Sequence, residues 1–235
     1  MIRKLLKILG VLLAVLLVAF GCLYFMYNEK LPEGKTGSEA DALAQKMLNS
    51  LNNEKYQNTR FLEWSFRGGA YEYQWDRQRS MVAVKWDDYL VQLDLISPKS
   101  SIVFKNNERL NENKSAGLIE DAMDSFNNDS FWLVAPYKVF DKGTQRSIVP
   151  LEDGLSGLLV TYTTGGSTPG DSYLWILQPN GFPKSYKMWV KIIPIGGIEA
   201  TWDDWAVMES GAFLPKTHQL GPLEISMGAI RGYNP

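Results

Sequence analysis

His218 is the only histidine among the 235 residues, and Cys22 is the only cysteine. An imidazole can serve as a general base, and serines and aspartates that could partner it abound. His218 follows Pro215-Lys216-Thr217 near the C-terminus, and the chain contains no nucleophile-elbow motif. The expectation is therefore a histidine on a surface loop, and a hydrolase built on it is the weakest of three functional readings. One imidazole and one thiol also exclude zinc, haem and iron–sulfur sites assembled from several such ligands, and they exclude a disulfide within the chain. No catalytic residue, metal or cofactor is assigned.

The carboxylates are as unforthcoming. Asp87-Asp88 and Asp203-Asp204 could hold a divalent cation or act as an acid pair. Neighbours on a strand point to opposite faces, so neither pair converges unaided, and turn or edge positions are expected. Glu199 and Asp203 share a face, the solvent face. Gly165-Gly166-Ser167-Thr168-Pro169-Gly170-Asp171 is glycine-rich, but a phosphate loop needs a helix N-terminus after it. A strand follows here, so the stretch reads as a mobile loop at the rim of a sheet. Asn113-Lys114-Ser115 and Asn128-Asp129-Ser130 are glycosylation triplets, meaningful only in a eukaryotic secretory pathway.

The aromatic residues are more informative. There are eight Trp, eleven Tyr and ten Phe, and the tryptophans fall on or beside expected strands or in the helical insertion, where most would fill a core. Some could instead line a cavity for an apolar ligand. The residues expected to line it are Leu62, Trp64, Tyr73, Trp75, Val84, Trp86, Leu93 and Met123, which sit on regular apolar faces or on a covering helix.

Those faces come from elements with distinct periods. Arg3, Lys4 and Lys7 precede an uncharged run from Ile8 to Tyr27, about 30 Å long as a helix and so able to span a bilayer. The basic flank predicts that the bulk of the chain lies outside the cytoplasm. A cleaved signal peptide would have a shorter apolar core than this run, which ends in Leu23-Tyr24-Phe25-Met26-Tyr27. Gly21-Cys22 fits a lipoprotein cleavage site, whereas Phe20 and the continuing apolar run do not. Residues 1–28 are thus an anchor, 29–37 a linker and 38–235 a single domain. Without Arg3, Lys4 and Lys7 the rest of the chain carries 21 basic and 26 acidic groups, a net of −5, which argues against nucleic acid as a partner. An apolar content of 45 % suffices for a core.

Ser38 opens a helix, with Asp41 placed as in a capping box and Ala40, Leu43, Ala44, Met47, Leu48 and Leu51 on one face. From Thr59 the period changes to two. Leu62/Trp64/Phe66, Tyr71/Tyr73/Trp75, Val82/Val84/Trp86 and Tyr89/Val91/Leu93/Leu95 form an antiparallel meander. Residues 105–150 interrupt it with a helix over 116–126 and an apolar knot, Phe131-Trp132-Leu133-Val134. Strands then resume, including a hairpin at Pro179-Asn180-Gly181. Nine or ten strands and two to three helices give an α+β fold with one antiparallel sheet.

This order, with the run Ser172-Tyr173-Leu174-Trp175-Ile176-Leu177 before Pro179-Asn180-Gly181-Phe182-Pro183-Lys184, resembles the periplasmic lipoprotein-carrier superfamily of the LolA and LolB kind. The resemblance covers residues 38–230. It implies a strongly curved half-barrel with helices on its concave face, over an apolar cavity. The implied protein is a non-catalytic binding protein for a lipid, an acyl chain or a lipid-modified protein. It would be anchored in the inner membrane of a bacterial cell envelope, facing the periplasm. The alternative is an interaction module of an envelope complex with a filled core.

Overall fold

The computed structural model describes residues 2–164 and 168–235, but not the side chains of Ile2, Phe20 and Leu23. Gly165, Gly166 and Ser167 of the glycine-rich stretch lie outside the described residues. The long apolar run is one helix, α1 (Ile2–Tyr27), and none of it is buried against the rest of the protein. Its length and composition are those of a transmembrane or signal anchor.

The strands are all antiparallel and fall into two sheets rather than one. The first meander supplies β2 (Phe61–Phe66), β3 (Tyr71–Asp76), β4 (Met81–Trp86), β5 (Tyr89–Asp94), β6 (Ile102–Lys105) and β7 (Glu108–Arg109). The C-terminal strand β16 (Arg231–Tyr233) pairs with β2 to complete this seven-stranded sheet. The second sheet begins with β1 (Lys35–Thr36), on the edge of β8 (Thr144–Pro150). It continues through β9 (Ser156–Tyr162), β10 (Ser172–Leu177), β11 (Pro183–Trp189) and β12 (Ile198–Thr201). Its far side holds β14 (Phe213–Leu220), flanked by β13 (Asp204–Val207) and β15 (Leu223–Ser226). Among the described residues neither sheet closes into a barrel. Residue Met227 links the two: its N–H donates to the Lys216 carbonyl of β14, and its carbonyl accepts from Ser65 of β2.

Helices pack against both sheets. α2 (Ser38–Ser50) lies against β8 and β9, and α3 (Asn53–Gln57) follows it. α4 (Glu112–Val134) packs on β5, β6 and β14, so it spans both sheets. It is twice the length of the expected helix because the apolar knot Phe131–Val134 is its last turn and not a separate feature. The cap of α2 also differs from expectation. Gly37 occupies the N-cap with no side-chain hydrogen bond, and Asp41 instead bonds Arg146 Nε at 2.6 Å. The linker is ordered. Glu29 bonds Gly196, and Lys35 and Thr36 pair with β8.

The pleat sets the core. The register aligns Leu62, Trp75, Val82 and Leu93 in one row across β2–β5. Trp64, Tyr73, Val84 and Val91 form the next row, and Phe66, Tyr71, Trp86 and Tyr89 the third. Period-two alternation puts all of these on the face that α4 covers. One continuous apolar core runs from here through Ala122, Phe126 and Leu133 of α4 to Trp175, Tyr186 and Trp202 of the other sheet. The Pro179-Asn180-Gly181 turn makes the β10–β11 hairpin as expected. Gly181 there has φ of 94°, and the Lys46 ammonium of α2 bonds the Pro179 carbonyl at 2.7 Å.

Candidate functional site

A cleft of about 700 Å³ opens between the N-terminal half of α4 and the edge of the seven-stranded sheet. Ile102, Val103, Leu110, Ile119 and Met123 give it apolar surface. Lys99 and Arg109 lie on one side, opposite Glu112, Glu120 and Asp124 on α4. Its walls are fixed locally. Asp94 Oδ1 accepts from the N–H groups of Ile96 and Ser97, both at 2.9 Å, and Ser101 Oγ accepts from Asp94 N–H. Those bonds shape the loop before the short 3-10 turn Pro98–Ser100. Asn111 caps α4, its Oδ1 accepting from Lys114 N–H at 3.2 Å, while Ser115 Oγ donates to the Asn111 carbonyl. A cap of this kind satisfies one of the orphan N–H groups of the first turn.

Of the eight residues expected to line a cavity, Met123 alone borders this cleft. The other seven are gathered on one sheet face, as the alternation implied, under α4. Leu62, Trp64, Tyr73, Val84 and Leu93 are buried, and Trp75 and Trp86 are partly buried against them. Phe126 of α4 sits on this face, with ring centroids 5.2 Å from Trp75 and 6.2 Å from Trp64. The indole N–H groups of Trp64 and Trp75 are buried with no acceptor among the described residues. Trp202 Nε1 in the other sheet is likewise without an acceptor among the described residues, so the feature is not confined to this face; an unmet buried donor costs about 1–3 kcal/mol.

Asp129, which the sequence presents only as the middle of a glycosylation triplet, is fully buried on α4. Tyr73 Oη donates to its Oδ2 at 2.6 Å and Asn128 Nδ2 to its Oδ1 at 2.8 Å, with the Arg67 guanidinium 3.5 Å away. Burial pushes the carboxyl above its usual range, against the pull of Tyr73, Asn128 and Arg67. Burial and the adjacent carboxylate both raise the Tyr73 phenol. A sequence signal for Asp129 existed. Ala122, Phe126, Asp129 and Leu133 are spaced four, three and four apart, so an acid stands on the buried face of a helix.

His218 is buried within β14 and not on a surface loop. Its Nδ1 lies 2.8 Å from the Thr201 carbonyl, its Nε2 lies 2.8 Å from the Trp132 carbonyl, and its ring packs on Trp202 and Trp132. Both nitrogens are engaged by backbone, which leaves none to face a substrate. The loop expectation fails because Pro215 and the exposed Lys216 lie inside β14, at the register shift in its pairing with β13, and so break the alternation that would have marked a strand through His218. Asp87, with φ of 46°, and Asp88 form the β4–β5 turn. Asp204 bonds Thr217 and pairs with Lys216 at 3.1 Å. Among the described residues no three His, Cys, Asp or Glu side chains converge.

No protein-family model matches the chain, and no curated protein matches it.

Proposed function

We propose that this is a membrane-anchored binding protein of the LolA/LolB kind, with a strongly curved sheet, for a lipid, an acyl chain or a lipid-modified protein. α1 holds it in the inner membrane of a bacterial envelope, facing the periplasm. The observation that carries this reading is the 700 Å³ cleft, which has an apolar floor, charges of both signs at its sides and one covering helix. A site of that size and character suits an apolar chain with a polar end. Binding would be non-covalent, through burial of apolar area at roughly 25 cal/mol per Å².

Photocrosslinking in membranes tests this with the full chain. A benzophenone amino acid replaces Met123, and a second chain carries it at Val207, which is exposed on β13. Intact-mass analysis after illumination is expected to show adducts of lipid or lipoprotein mass at 123 and none at 207. An unmodified chain at 123 overturns the reading. A second reading, an interaction module with a filled core, is favoured by Phe126, which occupies the aromatic face. Adducts of unlipidated protein mass at 123 would favour that one.

A further inference from the structure

The apolar turn between β11 and β12, Lys191-Ile192-Ile193-Pro194-Ile195, lies beside the exit of α1. α1 ends at Tyr27, and the next two residues are clasped to this turn. Asn28 Oδ1 accepts from Gly196 N–H at 2.8 Å, and Glu29 N–H donates to the Gly196 carbonyl at 2.9 Å. Trp189 Nε1 donates to the Glu29 carbonyl at 2.8 Å, and the Lys187 ammonium bonds both Glu29 carboxylate oxygens. The approach is close enough to require glycine. A Cβ on Gly196 would stand 2.4 Å from the Trp189 ring, and one on Gly197 2.6 Å from the Glu29 Cβ. Two residues extend at most about 7 Å, so the turn cannot swing away from the end of α1.

We propose that this turn is a membrane-contact element, resting in the headgroup region of the bilayer that α1 enters. The proposal rests on the anchor reading of α1. Exposure alone does not carry it, because singly exposed apolar residues are ordinary on protein surfaces. Ile192 is 73 % exposed, but Ile96, Val207 and Leu223 are also largely open to solvent. What sets Ile192 apart is that its turn is clasped, through Trp189 and Gly196, to the two residues that follow α1, where Tyr24 and Tyr27 supply the aromatic residues favoured at an interface. Pro194 is exposed beside it. Lys30 and Lys191, both exposed, add positive charge suited to anionic headgroups. The occupant is therefore a lipid surface. Its consequence is a fixed stance, with the domain held on its anchor by two points and unable to revolve freely about a linker.

Spin labelling tests this on the full chain in vesicles of phosphatidylethanolamine and phosphatidylglycerol. Cys22→Ser removes the only native thiol, and single cysteines at Leu16 and Ile192 carry the nitroxide in separate chains. Both sites are exposed, so a label does not challenge folding. Relaxation by oxygen is expected to exceed relaxation by a water-soluble nickel chelate at both positions, with the label at 192 nearer the surface. A label at 192 in water, with that at 16 in lipid, overturns the proposal and leaves the anchor intact. A label at 16 in water overturns both.

Discussion

At the scale of single residues, two buried polar groups hold α4 to the sheets, and each makes a prediction. His218 meets a carbonyl at either nitrogen, so the neutral ring donates to only one of them and turns a lone pair toward the other. Burial outweighs those carbonyls and Asp203, and it holds the imidazole below its ordinary 6.5. An unfolded chain therefore takes up this proton at a higher pH than the folded one, and stability falls as pH drops below about 6.5. Because His218 is the only imidazole, its replacement isolates the effect. Thermal melts from pH 7 to 5 are expected to show a steeper loss for the parent than for His218→Gln, and equal slopes would refute the assignment. Asp129 titrates with the opposite sign. Its carboxyl is raised in the fold, so acidification toward 3.8 relieves the cost of burying its charge. Tyr73→Phe removes the shortest of its bonds. That is expected to cost about 1–3 kcal/mol in denaturant titration, while Tyr73→Phe with Asp129→Leu should recover most of the loss, since replacing both partners removes the unmet group. A double variant no better than the single one would show that the carboxylate has a role beyond this pair.

At the scale of elements, α4 is fastened unevenly, and this is also where the sequence was least explicit. Its C-terminal half carries Asp129 and the Trp132 carbonyl bound to His218, whereas its N-terminal half borders the cleft and depends on the Asn111 cap. Asn111→Ala is expected to cost about 0.5–2 kcal/mol of helix stability. Amide exchange over 113–118 should speed up while 126–133 stays protected. Uniform acceleration along α4 would contradict the uneven fastening. The first meander was legible because Leu62, Trp64 and Phe66 alternate strictly with half-buried neighbours. So was the β10–β11 hairpin, through its turn residues. The length of α4 was obscured by Asn127, Asn128 and Asp129, polar residues that interrupt the apolar period although one further turn follows, with Leu133 and Val134 buried. β1 and β7 are two residues long, too short for any periodic signal, and most of β10 is buried on both faces, so alternation is lost there. The cleft was legible only at Met123, because its other wall is built from the irregular segment 98–101 and the end of β7.

At the scale of the molecule, the question is whether two sheets make one cooperative body. The sequence reading expected a single sheet, and no local pattern could have divided it, since the pairing of β16 with β2 joins residues near opposite ends of the domain. Two kinds of link oppose the division. One is the backbone strap at Met227, whose successor Gly228 has φ of 61° and lies so close to Ser65 that a Cβ would fall 1.9 Å from its Oγ. The other is the core, which runs unbroken from Leu62 and Trp64 through Phe126 and Leu133 to Trp175 and Trp202. Side-chain packing of that continuity makes partial unfolding costly, because opening either sheet exposes the face that the other and α4 bury. Deleting residues 231–235 removes β16, uncovers the edge of β2 and frees Arg60 N–H from the Asn234 side chain. If the core dominates, amide exchange in the shortened chain rises together in β3–β4 and β9–β10, although only the first pair belongs to the damaged sheet. Acceleration confined to β3–β4 would mean that the sheets open independently. The strap at Met227, which the deletion leaves intact, would then be too weak to couple them, and so would the contacts of α4 with both sheets.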